Sequence, residues 1–164
     1  MVSRTRVSAR IGAPSPDAML RLDRQLCFAR YSSSLLMTKL YKPILAALGL
    51  SYPQYLVLLV LWELDGRSVG DLGERLYLDS GTLTPLLKRM EAAGWLVRRR
   101  AAHDERRVIV TLTPAGRALR RKAAHIPEAI VCASGSKLAE LTELTTQLQA
   151  LRGNLADRIA VDPA

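Results

Sequence analysis

Cys27 stands four residues before Tyr31 and fourteen before Tyr41, with Arg24 and Arg30 three residues to either side. On a helix turning about 100° per residue, both tyrosines fall within about 40° of the cysteine's direction. Tyr52 follows just beyond Gly49. Phenols can donate hydrogen bonds to a thiolate or to the leaving oxygen of a peroxide, and the two guanidinium groups add an electropositive setting, so the grouping suits thiol oxidation. The same spacing also fits a plainer arrangement, in which Cys27 is a small core hydrophobe and the tyrosines fill interface space. A second cysteine, Cys132, lies 105 positions further on, in a chain with no CxxC pair and with His103 and His125 standing alone. That spacing excludes a secreted disulfide scaffold and leads us to expect no metal or other cofactor.

A second grouping suits recognition. Ser80, Gly81, Thr82 and Thr84 open a predicted helix with short polar groups that can approach base edges, and Lys88 and Arg89 follow one to two turns later. After Gly94, residues 95–100 and 107–112 read as two strands around a turn at 101–106. Arg98, Arg99, Arg100, Arg106 and Arg107 crowd this hairpin. An arginine at its tip suits the narrow minor groove, and Asp104, two residues before Arg106, is expected to orient it.

These groups need elements to hold them. Leu22, Leu26, Ala29, Leu36, Leu40, Ile44 and Leu48 recur at helical spacing and predict one long amphipathic helix over about 19–48, bent near Pro43. Ser51 precedes an apolar run that reads as a central buried helix. Ser68 caps a short helix over 69–76, and Asp79 or Ser80 starts the next. Thr113 and Pro114 open a helix to about residue 132 with a bend at Pro127, and Leu138, Leu141, Leu144, Leu148, Leu151 and Leu155 mark a last one. The order predicts a mainly α fold with a small β-hairpin wing: a winged helix-turn-helix flanked by helices. We expect a flexible basic tail over 1–18, a DNA-binding lobe over 51–113, and a helical dimerisation region built from 19–50 and 114–160, all within one domain.

Composition agrees. At 164 residues and 49% hydrophobic the chain can bury a core, and with only 5% aromatics its aliphatic pattern favours helices over a sandwich or barrel. The net charge of +9 is concentrated: residues 1–127 hold 21 Lys and Arg against 10 Asp and Glu, while 128–164 hold 3 against 5. Such a surplus suits phosphate contacts. No export signal and no apolar run of membrane length is evident, so a soluble, cytoplasmic protein without a membrane partner is expected.

The run Asp104 to Arg107, continued by Leu112, Thr113, Pro114, Ala115 and Gly116, resembles the D-x-R-x-x-x-x-x-L-T signature of MarR-type transcriptional regulators. The segment GERLYLDSGTLTPLLKRMEAAG is similar to their recognition-helix region. The resemblance covers nearly everything from residue 19 onward. It implies a homodimer with one winged-helix lobe per subunit, binding a pseudo-palindromic double-stranded operator as a repressor, and not an enzyme. The stretch LDRQLCFARYSSSLLMTKLYKPILAALGLSYPQYLVLLVLWE is similar to the organic-hydroperoxide-sensing OhrR group. In that group this resemblance makes Cys27 the peroxide-reactive thiol, Tyr31, Tyr41 and Tyr52 its pocket, and Cys132, within residues 126–135, the resolving thiol of the two-Cys type, paired across subunits. Organic hydroperoxides would be the inducer and thiol reductants would reset it. The alternative is a MarR-type repressor released by a small phenolic ligand with the cysteines incidental; a peroxidase or an architectural DNA binder would each use only half of these features.

Overall fold

The computed structural model describes residues 16–101 and 103–161. Most of the expected basic tail lies outside the described residues. The chain divides into two compact units, one ending at Lys39 and one beginning at Leu40.

The first unit starts with a short helix, α1 (Pro16–Met19), and a 3-10 turn, Leu22–Arg24, before α2 (Leu26–Ala46), which continues into the second unit. The single helix expected from residue 19 is therefore interrupted before Leu26. Arg21, Asp23 and Gln25 supply the local reason: Arg21 and Asp23 form an ion pair at 3.1 Å, and the Gln25 side chain donates to the Arg21 carbonyl, so short-range bonds compete with helical ones. Pro43 lies inside α2 without ending it.

In the second unit α3 (Tyr52–Glu63) forms the centre, opened by a capping box in which the Gln54 side chain accepts from the Ser51 backbone N–H at 2.8 Å. Tyr55, Val57, Leu58, Val60 and Leu61 are buried on it, as an apolar run requires. Next come β1 (Arg67–Ser68), α4 (Val69–Leu76) and α5 (Ser80–Ala92), then the hairpin β2 (Leu96–Ala101) and β3 (Asp104–Leu112). The three strands pair antiparallel in the order β1-β3-β2, with Arg67 opposite Val110 and Leu96 opposite Leu112. The strands run further into the expected turn, β2 reaching Ala101 and β3 starting at Asp104, with an irregularity between Arg100 and Ala101.

The expected helix over 114–132 is two helices, α6 (Pro114–Ala123) and α7 (Ile126–Ser134), followed by α8 (Leu138–Val161). Pro127 sits in the first turn of α7, where its missing N–H is harmless, so it starts a helix rather than bending one. Leu119, Ala123, Ile126 and Ile130 join Leu45, Leu58, Leu72, Leu83, Leu87, Met90 and Val110 in one core.

Gly116 is required by close approach. A Cβ there would lie 2.0 Å from the Trp95 carbonyl oxygen, so only glycine lets α6 pass the root of the hairpin. The Trp62 indole N–H donates to the Gly116 carbonyl at 3.0 Å and seats α6 on α3. Among the described residues no helix is long and apolar enough to cross a membrane.

Candidate DNA-reading surface and thiol site

Helix α4 is held at its start by Ser68, whose hydroxyl accepts from the Asp71 backbone N–H at 3.1 Å while the Asp71 carboxylate accepts from the Ser68 N–H. Those bonds hold the Asp71 carboxyl below its ordinary pKa, the Ser68 backbone contributing most. It closes at Tyr77, a non-glycine residue in the left-handed conformation with φ 56°. Only two residues then separate this cap from α5, and that tight connection fixes two helices at a set angle.

The N-cap of α5 is Asp79, whose carboxylate accepts from the Thr82 N–H at 2.8 Å and from the Thr82 hydroxyl at 2.9 Å. These bonds keep Asp79 below the usual carboxylate range. Leu83, Leu86, Leu87 and Met90 are buried under the helix. Ser80, Thr82, Lys88 and Arg89 are exposed and Thr84 is half-buried, so the polar face expected from sequence is the outward one. The hydroxyl proton of Thr82 is committed to the cap, leaving that oxygen as an acceptor for an outside donor.

At the hairpin, Asp104 and Arg106 are both exposed. Asp104 accepts the Arg106 backbone N–H at 3.0 Å, a bond that shapes the strand where Arg106 leaves it. Arg107 and Arg98 have partners on the lobe itself. Arg107 lies 3.8 Å from Asp71, and Arg98 is gripped by Glu91. A groove of about 360 Å³ runs between α5 and the hairpin, with Thr84, Leu87, Arg98, Arg106 and Arg107 on its walls and the first turn of α4 at one end. It combines hydroxyl, guanidinium and helix N-terminal groups, a set suited to phosphodiester oxygens.

In the first unit, Cys27 and Tyr31 lie near the start of α2, and both are exposed. In the second unit, Tyr41 and Tyr52 are half-buried with ring centroids 4.8 Å apart, and Tyr55 adds a third phenol 6.0 Å from Tyr41. Burial pushes the Tyr41 hydroxyl up to about 12, with the neighbouring Tyr52 and Tyr55 adding to the effect. Burial raises Tyr52 and Tyr55 in the same direction. All three phenols therefore stay protonated at neutral pH and remain donors. Tyr55 escaped the sequence reading because it sits inside an apolar run; its position three residues after Tyr52 was the available signal. Cys132 is a free, exposed thiol on α7.

Residues 39–122 match the family described as transcriptional regulator SarA/Rot. The chain is 49% identical, over 132 residues, to the organic hydroperoxide resistance transcriptional regulator of Bacillus subtilis, a match spanning 80% of this chain and 90% of that one. Its structure resembles that of reduced AbfR bound to DNA, with a TM-score of 0.75 and 37% identity over 86% of this chain and 96% of that chain. It also resembles disulfide-formed AbfR, with a TM-score of 0.57 and 38% identity over 88% of this chain and 96% of the other. A further structure of AbfR comes from Staphylococcus epidermidis.

Proposed function

We propose, from the premise that this chain belongs to the MarR- and SarA-type winged-helix transcriptional regulators and to their organic-hydroperoxide-resistance group, that it is a repressor released from operator DNA when Cys27 is oxidised. The observation that carries the reading is an exposed free thiol at Cys27 on the helix that also bears Tyr31 and Tyr41.

The DNA half of the reading has Ser80, Thr82, Thr84, Lys88 and Arg89 on the outward face of α5 approach the major groove, while Arg106 on the wing, its strand held by Asp104, enters the minor groove. Support for a homodimer comes from the apolar faces left open on the helices of residues 19–50 and 114–160. Leu35 and Leu36 on α2, and Leu144, Leu148 and Leu155 on α8, are all exposed in the single chain. A second copy covering those faces would set two reading heads at a fixed separation, which matches a pseudo-palindromic site.

The redox half follows ordinary thiol chemistry. The Cys27 thiolate attacks the terminal oxygen of an organic hydroperoxide, the O–O bond breaks, and the alcohol leaves with a proton while Cys27 becomes a sulfenic acid. Tyr31, Tyr41 and Tyr52 supply O–H donors for the departing alkoxide, and burial raises the pKa of the Tyr41 and Tyr52 hydroxyls, which favours their donor form. The thiol of Cys132 of the partner subunit then attacks the sulfenic sulfur, a disulfide forms and water leaves. Disulfide closure needs the two Cα atoms within about 7 Å, so a pair standing further apart in the reduced state must draw helices together and change the spacing of the reading heads. Two-electron thiol reductants restore both thiols. The resemblance to both DNA-bound reduced and disulfide-formed AbfR supports this sequence of events.

The test is DNA retention in the presence of cumene hydroperoxide. Wild type should release its DNA and run as a covalent dimer on non-reducing electrophoresis; Cys132→Ser should lose the covalent dimer, and Cys27→Ser should keep its DNA. Release of Cys27→Ser by the peroxide would refute the reading.

One observation favours a second reading, release by a small phenolic acid. A cleft of about 250 Å³ is lined by Tyr55 and Trp62 and by the opposite charges of Arg120 and Glu63, which suits an aromatic ring whose acid group turns to Arg120 and whose phenol turns to Glu63. Loss of DNA binding on adding such an acid under fully reducing conditions would favour it.

A further inference from the structure

The Glu91 carboxylate, in the last turns of α5, accepts three hydrogen bonds from a single residue of β2. The Arg98 backbone N–H reaches one oxygen at 2.8 Å, and the Arg98 Nε and Nη2 reach the other at 2.9 and 2.7 Å. Both side chains are largely covered, with 23% of Arg98 and 34% of Glu91 exposed. A carboxylate near a helix C-terminus faces the unfavourable end of the dipole. Arg98 compensates, and its side-chain hydrogen bonds are the chief reason Glu91 sits below its ordinary pKa.

We infer that Glu91 is a positioning residue: through Arg98 it locks the root of the wing to the recognition helix, fixes the angle between the two, and removes Arg98 from the set of DNA-contacting cations. The inference rests on the DNA-reading conclusion above. Arg98 lies on the wall of the groove between α5 and the wing, where an unpaired wing cation could meet a phosphate. Its guanidinium instead directs two N–H groups at one carboxylate oxygen, and the backbone bond to the other oxygen adds a constraint that no phosphate contact could supply. A helix in the major groove and a wing in the adjacent minor groove engage together only if their separation holds to within hydrogen-bond tolerance. The Glu91 and Arg98 pair is the polar joint that sets it.

Salt dependence separates a positioning residue from a phosphate ligand, because removing one phosphate-binding cation lowers the slope of log K against log salt by about 0.9. The probe is the duplex that the wild-type chain enriches from a random-sequence pool, compared with a scrambled duplex of equal length. Glu91→Gln keeps an acceptor for the backbone N–H but breaks the guanidinium bond, and Arg98→Met keeps the stem and removes the charge. Each should reduce preference for the enriched duplex about tenfold, the size of one part-buried charge-assisted pair, with the salt slope unchanged. The double variant should be no worse than either single one, since both break one joint. Arg106→Ala should instead reduce the slope by about 0.9. A drop of that size in Arg98→Met would overturn the inference by making Arg98 a phosphate ligand. Unchanged duplex preference in folded Glu91→Gln would overturn it by leaving the pair a matter of stability alone. If wild type enriches no duplex, the DNA-reading conclusion fails first and the inference falls with it.

Discussion

Helix α3 and helix α8 are both rich in leucine at helical spacing, yet they use it in opposite ways. Leu58 and Leu61 on α3 are at most 1% exposed, whereas Leu144, Leu148 and Leu155 on α8 are 50%, 42% and 54% exposed, and α8 buries no residue fully. The first set is covered by α4, α5 and α6; the second has an apolar face that stands exposed among the described residues. Periodicity records that a helix has an apolar face and is silent on what meets it. The core around α3 completes itself within one chain, while α8, like the α2 stretch with Leu35 and Leu36, has the character of half an interface.

The sharpest way to break this contrast is to cut both sides equally. Leu58→Ala should cost about 3 kcal/mol in urea unfolding, since it leaves a cavity in a closed core. Leu148→Ala should cost under about 0.5 kcal/mol at high dilution, where no partner covers it. At higher protein concentration the wild-type unfolding midpoint should rise, as it does for any association that favours the folded state, and Leu148→Asp should abolish that rise. Equal costs for the two alanine substitutions at high dilution would erase the distinction.

The phenol cluster offers a smaller, pH-dependent test. The folded-state pKa of Tyr41 is raised from 10.0 to about 12, so the native state holds its proton longer than the unfolded chain. Stability from this source is fully present below pH 10.0 and is lost as pH rises toward about 12. Urea midpoints should therefore fall across that window in wild type and fall less in Tyr41→Phe. Parallel curves for the two proteins would contradict the burial of that hydroxyl.

The smallest effect is a gain. Tyr77 occupies the left-handed region at φ 56°, a conformation costly for an aromatic residue, and is steadied by the Arg152 guanidinium 5.1 Å from its ring centre. Tyr77→Asn should relieve about 1 kcal/mol of backbone strain and forfeit about 0.5 kcal/mol of cation-π attraction, leaving a net stabilisation of a few tenths to read by thermal unfolding. A loss of stability would mean that the ring contact outweighs the strain.

What could be read in advance was local. Ser68, Asp79 and Thr113 announce their helix starts because the side-chain oxygen of each accepts from a backbone N–H three positions further on. The unread features needed a distant partner. Strand β1 is two residues long and exists because β3 presents an edge to Arg67 and Ser68. Arg98 looked like one more wing cation until folding brought Glu91 to it. Likewise the outward face of α5 followed from periodicity, whereas the third phenol of the tyrosine cluster emerged only when α2 and α3 packed together.

Asp65 ties the end of α3 to the junction of β3 with α6, 47 and 52 residues further along the chain. One of its oxygens accepts from the Gly66 and Leu112 backbone N–H groups, both at 2.9 Å, and the other pairs with Arg117 on α6. The end of α3, the last residue of the wing and the opening of α6 thus share one fastening. A pull delivered along α6 therefore bears on the root of the wing and on the end of the central helix through the same carboxylate.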